Sequence, residues 1–252
     1  MLKVVAIFKR KFFENLVPLL GELKIKLPAE VKIYFVDFSS KEIEKAKESL
    51  KRFSLEKNIV LTGEDIEDIL KKENPYLVVL PRPKMNPLLH AFKKAWSEKE
   101  VEETSDYNFL LIDEGTTEIK KALVYVDTEN TSENYIREVY NFLTRLKIEF
   151  KFFTVFDEHY YEFLIKKDHP ETEARQILGQ MFEDYVHEVM EKIKKALSLE
   201  HVEVISTKGE LRKALPFFAA YHRFDIFFIS HSLEDKDAIV ENAQTSVGIF
   251  KN

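Results

Sequence analysis

The sequence predicts an α/β protein built as two tandem, doubly wound parallel sheets of about five strands each. Three observations predict it. The first 38 residues recur without a gap 119 positions later: Val5 falls on Val124, Glu14 on Glu133, Asn15 on Asn134, Leu27 on Leu146, Glu30 on Glu149, Lys32 on Lys151 and Val36 on Val155. Short, nearly continuous apolar runs alternate with segments whose apolar residues recur every three or four positions. That is the pattern of parallel strands buried on both faces and joined by amphipathic helices. The length of 252 residues suits two domains, each able to bury its own core. Right-handed crossovers then restrict each copy to a doubly wound sheet.

The first copy, residues 1–115, opens with a buried strand over 2–8. A helix follows, carrying Phe13, Leu16, Val17, Leu20 and Leu23, and then a strand over 31–38. Ser39 and Glu42 form a capping box for a helix with Ile43, Ala46 and Leu50 on its inner face. A short strand over 58–61, a helix marked by Ile66, Ile69 and Leu70, and an apolar strand over 76–80 come next. Asn86 and Pro87 start a helix as N-cap and first residue, and a strand over 109–112 closes the unit before a polar linker at Gly115. The second copy, residues 119–252, repeats the order. Its strands lie over 122–126, 150–156, 202–205, 226–229 and 247–250, with a helix from about Ser132 and one capped by Thr207 with Glu210. Its main addition is a long helix over about 170–197, with Ala174, Ile177, Leu178, Met181, Tyr185, Val189 and Ile193 on one side. That stripe exceeds what one small sheet covers, so part of it is expected to pack on the other copy or on a second chain.

With 44 acidic against 38 basic residues and a formal charge of −6, the chain lacks the basic balance of a general nucleic-acid binder. The absence of cysteine excludes disulfides, thiolate metal sites and a cysteine nucleophile. No run approaches the roughly 20 apolar residues of a membrane span, and the apolar run over 4–8 is too short for a signal peptide. A cytoplasmic protein is expected. Abundant Lys and Glu, with Gln only at 176, 180 and 244, lean toward a heat-adapted source.

The second copy resembles the universal stress protein family. The matching pieces are Ala-Leu-Val-Tyr-Val-Asp (122–127) followed by Ser-Glu-Asn, Gly209, a helix reaching Ala219, Phe-Asp-Ile-Phe-Phe-Ile-Ser (224–230) and a final Val-Gly-Ile-Phe. The first copy matches more weakly, through Gly63 and the strands over 76–80 and 109–112. The resemblance implies an adenine nucleotide α hydrolase-like fold, strand order 3-2-1-4-5 in each domain, and a pseudo-twofold pairing of the two. It also implies a nucleotide contact at Asp127, whose counterpart in the ungapped repeat is Phe8. The family's glycine signature, Gly-x2-Gly-x9-Gly-[Ser/Thr] after the fourth strand, is missing from both copies. Ser230-His231-Ser232 with an acidic helix start (Glu234, Asp235, Asp237) replaces it in one, and Pro81-Arg82-Pro83-Lys84 in the other. Carboxylates at that helix start repel phosphate, and prolines remove amide donors.

Ligands of doubly wound sheets bind at the carboxyl ends of strands one and four. In the first copy that crevice receives Lys9, Arg10 and Lys11 from strand one and Arg82 and Lys84 from strand four, beside the Asn86-Pro87 helix start. They form either an anion site or a set of solvated loop residues balancing nearby acids. In the second copy the same edge holds Asp127, Asp157, His159 and His231. These read either as a metal or acid–base cluster or as satisfied and exposed side chains. Asp127 is also a plausible turn residue. Ser232 and Ser246 lack nucleophile-elbow glycines. The expectation is a non-catalytic stress-protein-like module that acts through protein association, with a small anion site in the first domain. No cofactor, metal, nucleic acid or membrane partner is expected, and a homodimer is allowed. The alternative is ATP or AMP binding, or slow hydrolysis, through a divergent site.

Overall fold

The computed structural model describes residues 2–83, 96–98, 104, 106–157 and 169–252. Its first half runs β1 (Leu2–Lys9), α1 (Leu16–Lys26), β2 (Ala29–Val36), α2 (Ser40–Lys51), β3 (Ile59–Thr62), α3 (Ile66–Glu73), β4 (Leu77–Arg82) and β5 (Asn108–Asp113). Its second half runs β6 (Lys121–Tyr125), α4 (Glu133–Leu146), β7 (Glu149–Phe156), α5 (Glu171–Leu197), β8 (Val204–Lys208), α6 (Leu211–Tyr221), β9 (Ile226–Ser230), α7 (Lys236–Asn242) and β10 (Ser246–Phe250). The Asn86-Pro87 helix start falls outside the described residues.

Two separate sheets were the expectation, and the structure has one. Ten strands form a single sheet in the order β3-β2-β1-β4-β5-β10-β9-β6-β7-β8. Every neighbouring pair is parallel except β5 and β10, which pair antiparallel (Phe109 opposite Ile249, Leu111 opposite Val247). Burial explains the join. Strands β5 and β10 are buried along their whole length, whereas β3 and β8 are only partly buried and form the two outer edges. Gly248 in β10 leaves room for the ring of Phe228 on β9; a Cβ there would stand 2.4 Å from it. Because the join is antiparallel, the carboxyl ends of the strands of the two halves lie on opposite edges of the sheet.

Helices cover both faces. On one, α1, α2, α4 and α5 contribute Leu16, Leu20, Ala46, Leu50, Ile136, Val139, Val189 and Ile193 to a continuous core. On the other, α3, α6 and α7 contribute Ile66, Ile69, Leu215, Ala219 and Ile239. The long helix packs on α4, β7 and β8 of its own half, with Lys195 paired to Glu133 at 2.6 Å. Its main packing among the described residues is thus within its own half. The capping box is present, with the Glu42 carboxylate accepting from the Ser39 N–H at 2.9 Å and from its hydroxyl at 2.5 Å. Thr207 is not a cap: it pairs with Val155 inside the β7–β8 ladder, as its branched side chain favours. The turn falls to Gly209 at φ 135°, and α6 starts after Glu210.

The repeat also needs one correction. Lys3 pairs with Glu30 and Lys121 with Glu149, so β1 superimposes on β6 with a shift of 118 (121 − 3), while β2 and β7 keep 119 (149 − 30). One additional residue sits between strand and helix in the second half. Since successive strand residues face opposite sides, the ungapped alignment put β1 residues on the wrong face. The counterpart of Asp127 is therefore Lys9, not Phe8.

Candidate functional site

In the first half the expected basic residues do not converge. Arg82 ends β4 buried, and its Nε donates to Asp113 Oδ1 at 2.7 Å, the residue opposite it on β5. Its two terminal nitrogens donate to the carbonyls of Val240 at 3.1 Å and Ala243 at 2.7 Å, at the end of α7. The guanidinium thus neutralises a buried carboxylate and satisfies carbonyls that a helix end leaves orphaned, across the seam between halves. It is not free to hold a ligand. Lys84 lies outside the described residues.

Lys9, Arg10 and Lys11 do end up at the carboxyl edge. Lys11 Nζ bonds Glu114 Oε1 at 2.6 Å and sits 4.8 Å over the Phe13 ring. Arg10 makes a loose pair with Asp37 at 3.5 Å, both exposed. Beside them is a cavity of about 310 Å3 lined by Arg10, Lys11, Phe12, Phe38, Glu42 and Lys45, with Glu14 and Ser49 at its side. It lies on the β1–β2 side, under α2, not between strands one and four as expected. The sequence contains the signal that was missed: Phe12 follows β1 by three residues and Phe38 follows β2 by two, and they join Phe8 and Phe35 in one aromatic cluster.

In the second half the corresponding carboxyl edge, on the opposite side of the sheet, is filled. Asp127 is buried, and its Oδ1 accepts from the N–H groups of Asn130 at 2.7 Å and Thr131 at 2.9 Å. Its Oδ2 accepts from the Asn130 side chain at 3.1 Å and from the Tyr125 hydroxyl at 3.4 Å. Of the two readings open for Asp127, the loop-organising one matches this geometry. Lys192 of α5 reaches over it, donating to the carbonyls of Asp127 at 3.0 Å and Thr128 at 2.9 Å. Burial lowers the Lys192 pKa, while Asp127 and Glu133 oppose that shift. Tyr185 of α5 accepts from Thr154 at 3.1 Å and packs against Phe156. Tyr125, pushed far above an ordinary phenol chiefly by burial and then by Asp127, completes a closed polar cluster.

Asn252, two residues past β10, was not singled out from the sequence. Its carboxamide bridges both rims of this crevice. Oδ1 accepts from Ser132 N–H at 2.9 Å and Ser230 Oγ at 3.0 Å, and Nδ2 donates to Asn130 O at 3.0 Å and Ser232 Oγ at 2.6 Å. Ser232 is thus part of a bridge. Ser246 is buried, its hydroxyl accepting from Asp113 N–H at 3.1 Å. His231 bonds the Tyr107 carbonyl at 2.8 Å and lies edge-on to Phe109, and burial lowers its pKa to about 4. Asp127, Asp157 and His231 do not gather. Among the described residues no three His, Asp or Glu side chains could hold a metal ion, and His159 lies outside those residues. No described helix is long and apolar enough to cross a membrane.

Solved structures with a similar fold match nearly the full chain. A universal stress protein from Pseudomonas aeruginosa UCBPP-PA14 aligns at TM-score 0.68 and 11% identity, covering 99% of this chain and 92% of its own. A universal stress protein from Archaeoglobus fulgidus DSM 4304 aligns at TM-score 0.60 and 13% identity, covering 98% and 96%. The chain has the universal stress protein fold. A functionally unknown protein from P. aeruginosa PAO1 aligns at TM-score 0.68 and 12% identity over the same shares as the first. No protein-family profile and no curated protein matches the sequence. The universal stress protein likeness at these identities is one of fold, and function rests on the crevices themselves.

Proposed function

We propose that this chain is a non-catalytic, tandem universal-stress-like protein that acts through association with other proteins, with a small anion site in its first half. One observation carries the non-catalytic part: the described groups that fill the second crevice are spent on one another, Asp127 within its own loop and Asn252 across the rims. Among the described residues no side chain there is poised to activate a water molecule or a phosphate. The first half supports the anion site, since Arg10, Lys11 and Lys45 border an open cavity. The stacked Phe217 and Tyr221 on α6, 67% and 71% exposed, support the association.

Calorimetry with inorganic phosphate and with ATP and magnesium, beside an assay for released phosphate, tests this reading. Phosphate binding without ATP turnover is expected. Steady turnover abolished by Asp127→Ala would establish the opposite reading, an adenine-nucleotide enzyme using a divergent site.

A further inference from the structure

The cavity of the first half has a floor as well as a charged rim. Phe12 packs on Phe8 and Phe35 with ring centroids 5.1 and 5.6 Å away, and Phe38 stands edge-on to Phe35 at 4.9 Å. Both Phe12 and Phe38 are half-buried and line the cavity, so part of each ring is presented to it. A flat apolar group is what such a floor accommodates.

The charges on the rim are unequally committed. Glu42 is consumed by the capping box, Glu14 accepts from Ser49, and Lys11 is paired with Glu114. Lys45 makes no hydrogen bond or close ion pair among the described residues, its one electrostatic partner being Glu42 a turn away, and Arg10 has only its loose, exposed contact with Asp37. Arg10 and Lys45 are therefore the rim groups with hydrogen-bond donors still available, beside the carboxylates of Glu14 and Glu42. Arg10 and Asp37, one just past each strand, both sit at φ 61°, whereas the other described non-glycine residues with positive φ lie at or just past helix ends. Non-glycine residues hold that left-handed conformation at a cost, and such positions cluster at ligand sites. The described loop residues after β6 and β7 contain no positive φ. At about 310 Å3 the cavity is at the lower end of the roughly 300–1,000 Å3 typical of small-molecule sites.

We infer that this cavity binds a single-ring aromatic anion, the ring on Phe12 and Phe38 and the anionic head against Lys45 and Arg10. The inference rests on the anion reading of the first half and adds the ring. Calorimetric titration with phenyl phosphate, inorganic phosphate and benzyl alcohol separates the contributions of ring and charge. Phenyl phosphate is expected to bind about tenfold or more tighter than either of the others. Lys45→Ala should weaken both phosphates. Phe38→Ala should reduce phenyl phosphate to the level of inorganic phosphate and leave the latter unchanged. Phe38→Leu, which keeps most of the volume, should act in the same direction if the alanine variant fails to fold. Equal affinities for the two phosphates in the unmodified protein would overturn the ring inference while the anion site stands. Binding by none of the three probes at millimolar concentration would overturn both.

Discussion

At the end of β1 the chain carries Lys9 and Arg10 and leaves the space beside them open. At the matching end of β6 it carries Asp127 and fills that space with Lys192 and Tyr185 from the long helix, and the rims beyond it with Asn252. The helices that follow the second strand explain the difference. In the first half α2 is short and turns Glu42, Lys45 and Ser49 toward the cavity. In the second, α5 extends over 27 residues and delivers an aromatic ring and an ammonium group onto the loop after β6. A duplicated scaffold keeps its strands because each must be buried on both faces. Its crevices are under no such constraint, so one residue added to a loop and a lengthened helix suffice to close one of them.

Breaking the seam should have the largest effect. Arg82→Met leaves Asp113 buried without its partner and frees the carbonyls of Val240 and Ala243 at the end of α7. A loss of about 3–5 kcal/mol is expected in urea unfolding, the usual consequence of removing one member of a buried ion pair. Phosphate affinity of the first crevice should not change, because Arg82 is a seam residue and not a ligand.

The amino edge of the first half has a hub that the described residues of the second half do not repeat. Glu73 is buried and accepts from Lys32 at 2.8 Å, Tyr34 at 2.6 Å and Lys3 at 3.0 Å. Burial by itself would raise its pKa; the bonds from Lys32, Tyr34 and Lys3 overcome that and hold it at about 2. A folded pKa below the unfolded one adds stability that is complete above the ordinary carboxylate range and is lost as pH falls toward 2. Glu73→Gln should cost about 2–3 kcal/mol at neutral pH, and the gap between the two proteins should narrow in denaturation series from pH 5 to pH 2.

His231, on the crevice edge of the second half, behaves in the corresponding way. Its folded pKa of about 4 lies below that of free imidazole, so the unfolded chain takes up the proton first as pH falls. Stability should decline by up to about 3 kcal/mol between pH 6.5 and pH 4, and His231→Phe should remove that slope. An NMR titration of His231 should show its midpoint near 4. The smallest expected effect is that of Asn252→Ala, about 1–2 kcal/mol for the lost bridge, read by thermal unfolding.

Most strands, and the helices between them, were legible because burial on both faces leaves long apolar runs. The fusion into one sheet was less so, although β5 and β10 lack the partial exposure of the true edges, β3 and β8. Chance identities such as Val5 with Val124 concealed the one-residue slip, and pairing register alone exposed it. Arg82 looked like a loop cation because prolines flank it, and nothing local announces a partner at Asp113 or at the end of α7. Asn252 is a single polar residue after a strand; its role comes from two loops far away in sequence.

The most direct test of the divergence between crevices is an amide-resolved NMR titration with inorganic phosphate. Shifts confined to residues 9–14 and 37–49, with residues 127–132 and 230–232 unmoved, are the predicted result. Shifts at 127–132 and 230–232, with the first crevice silent, would contradict it.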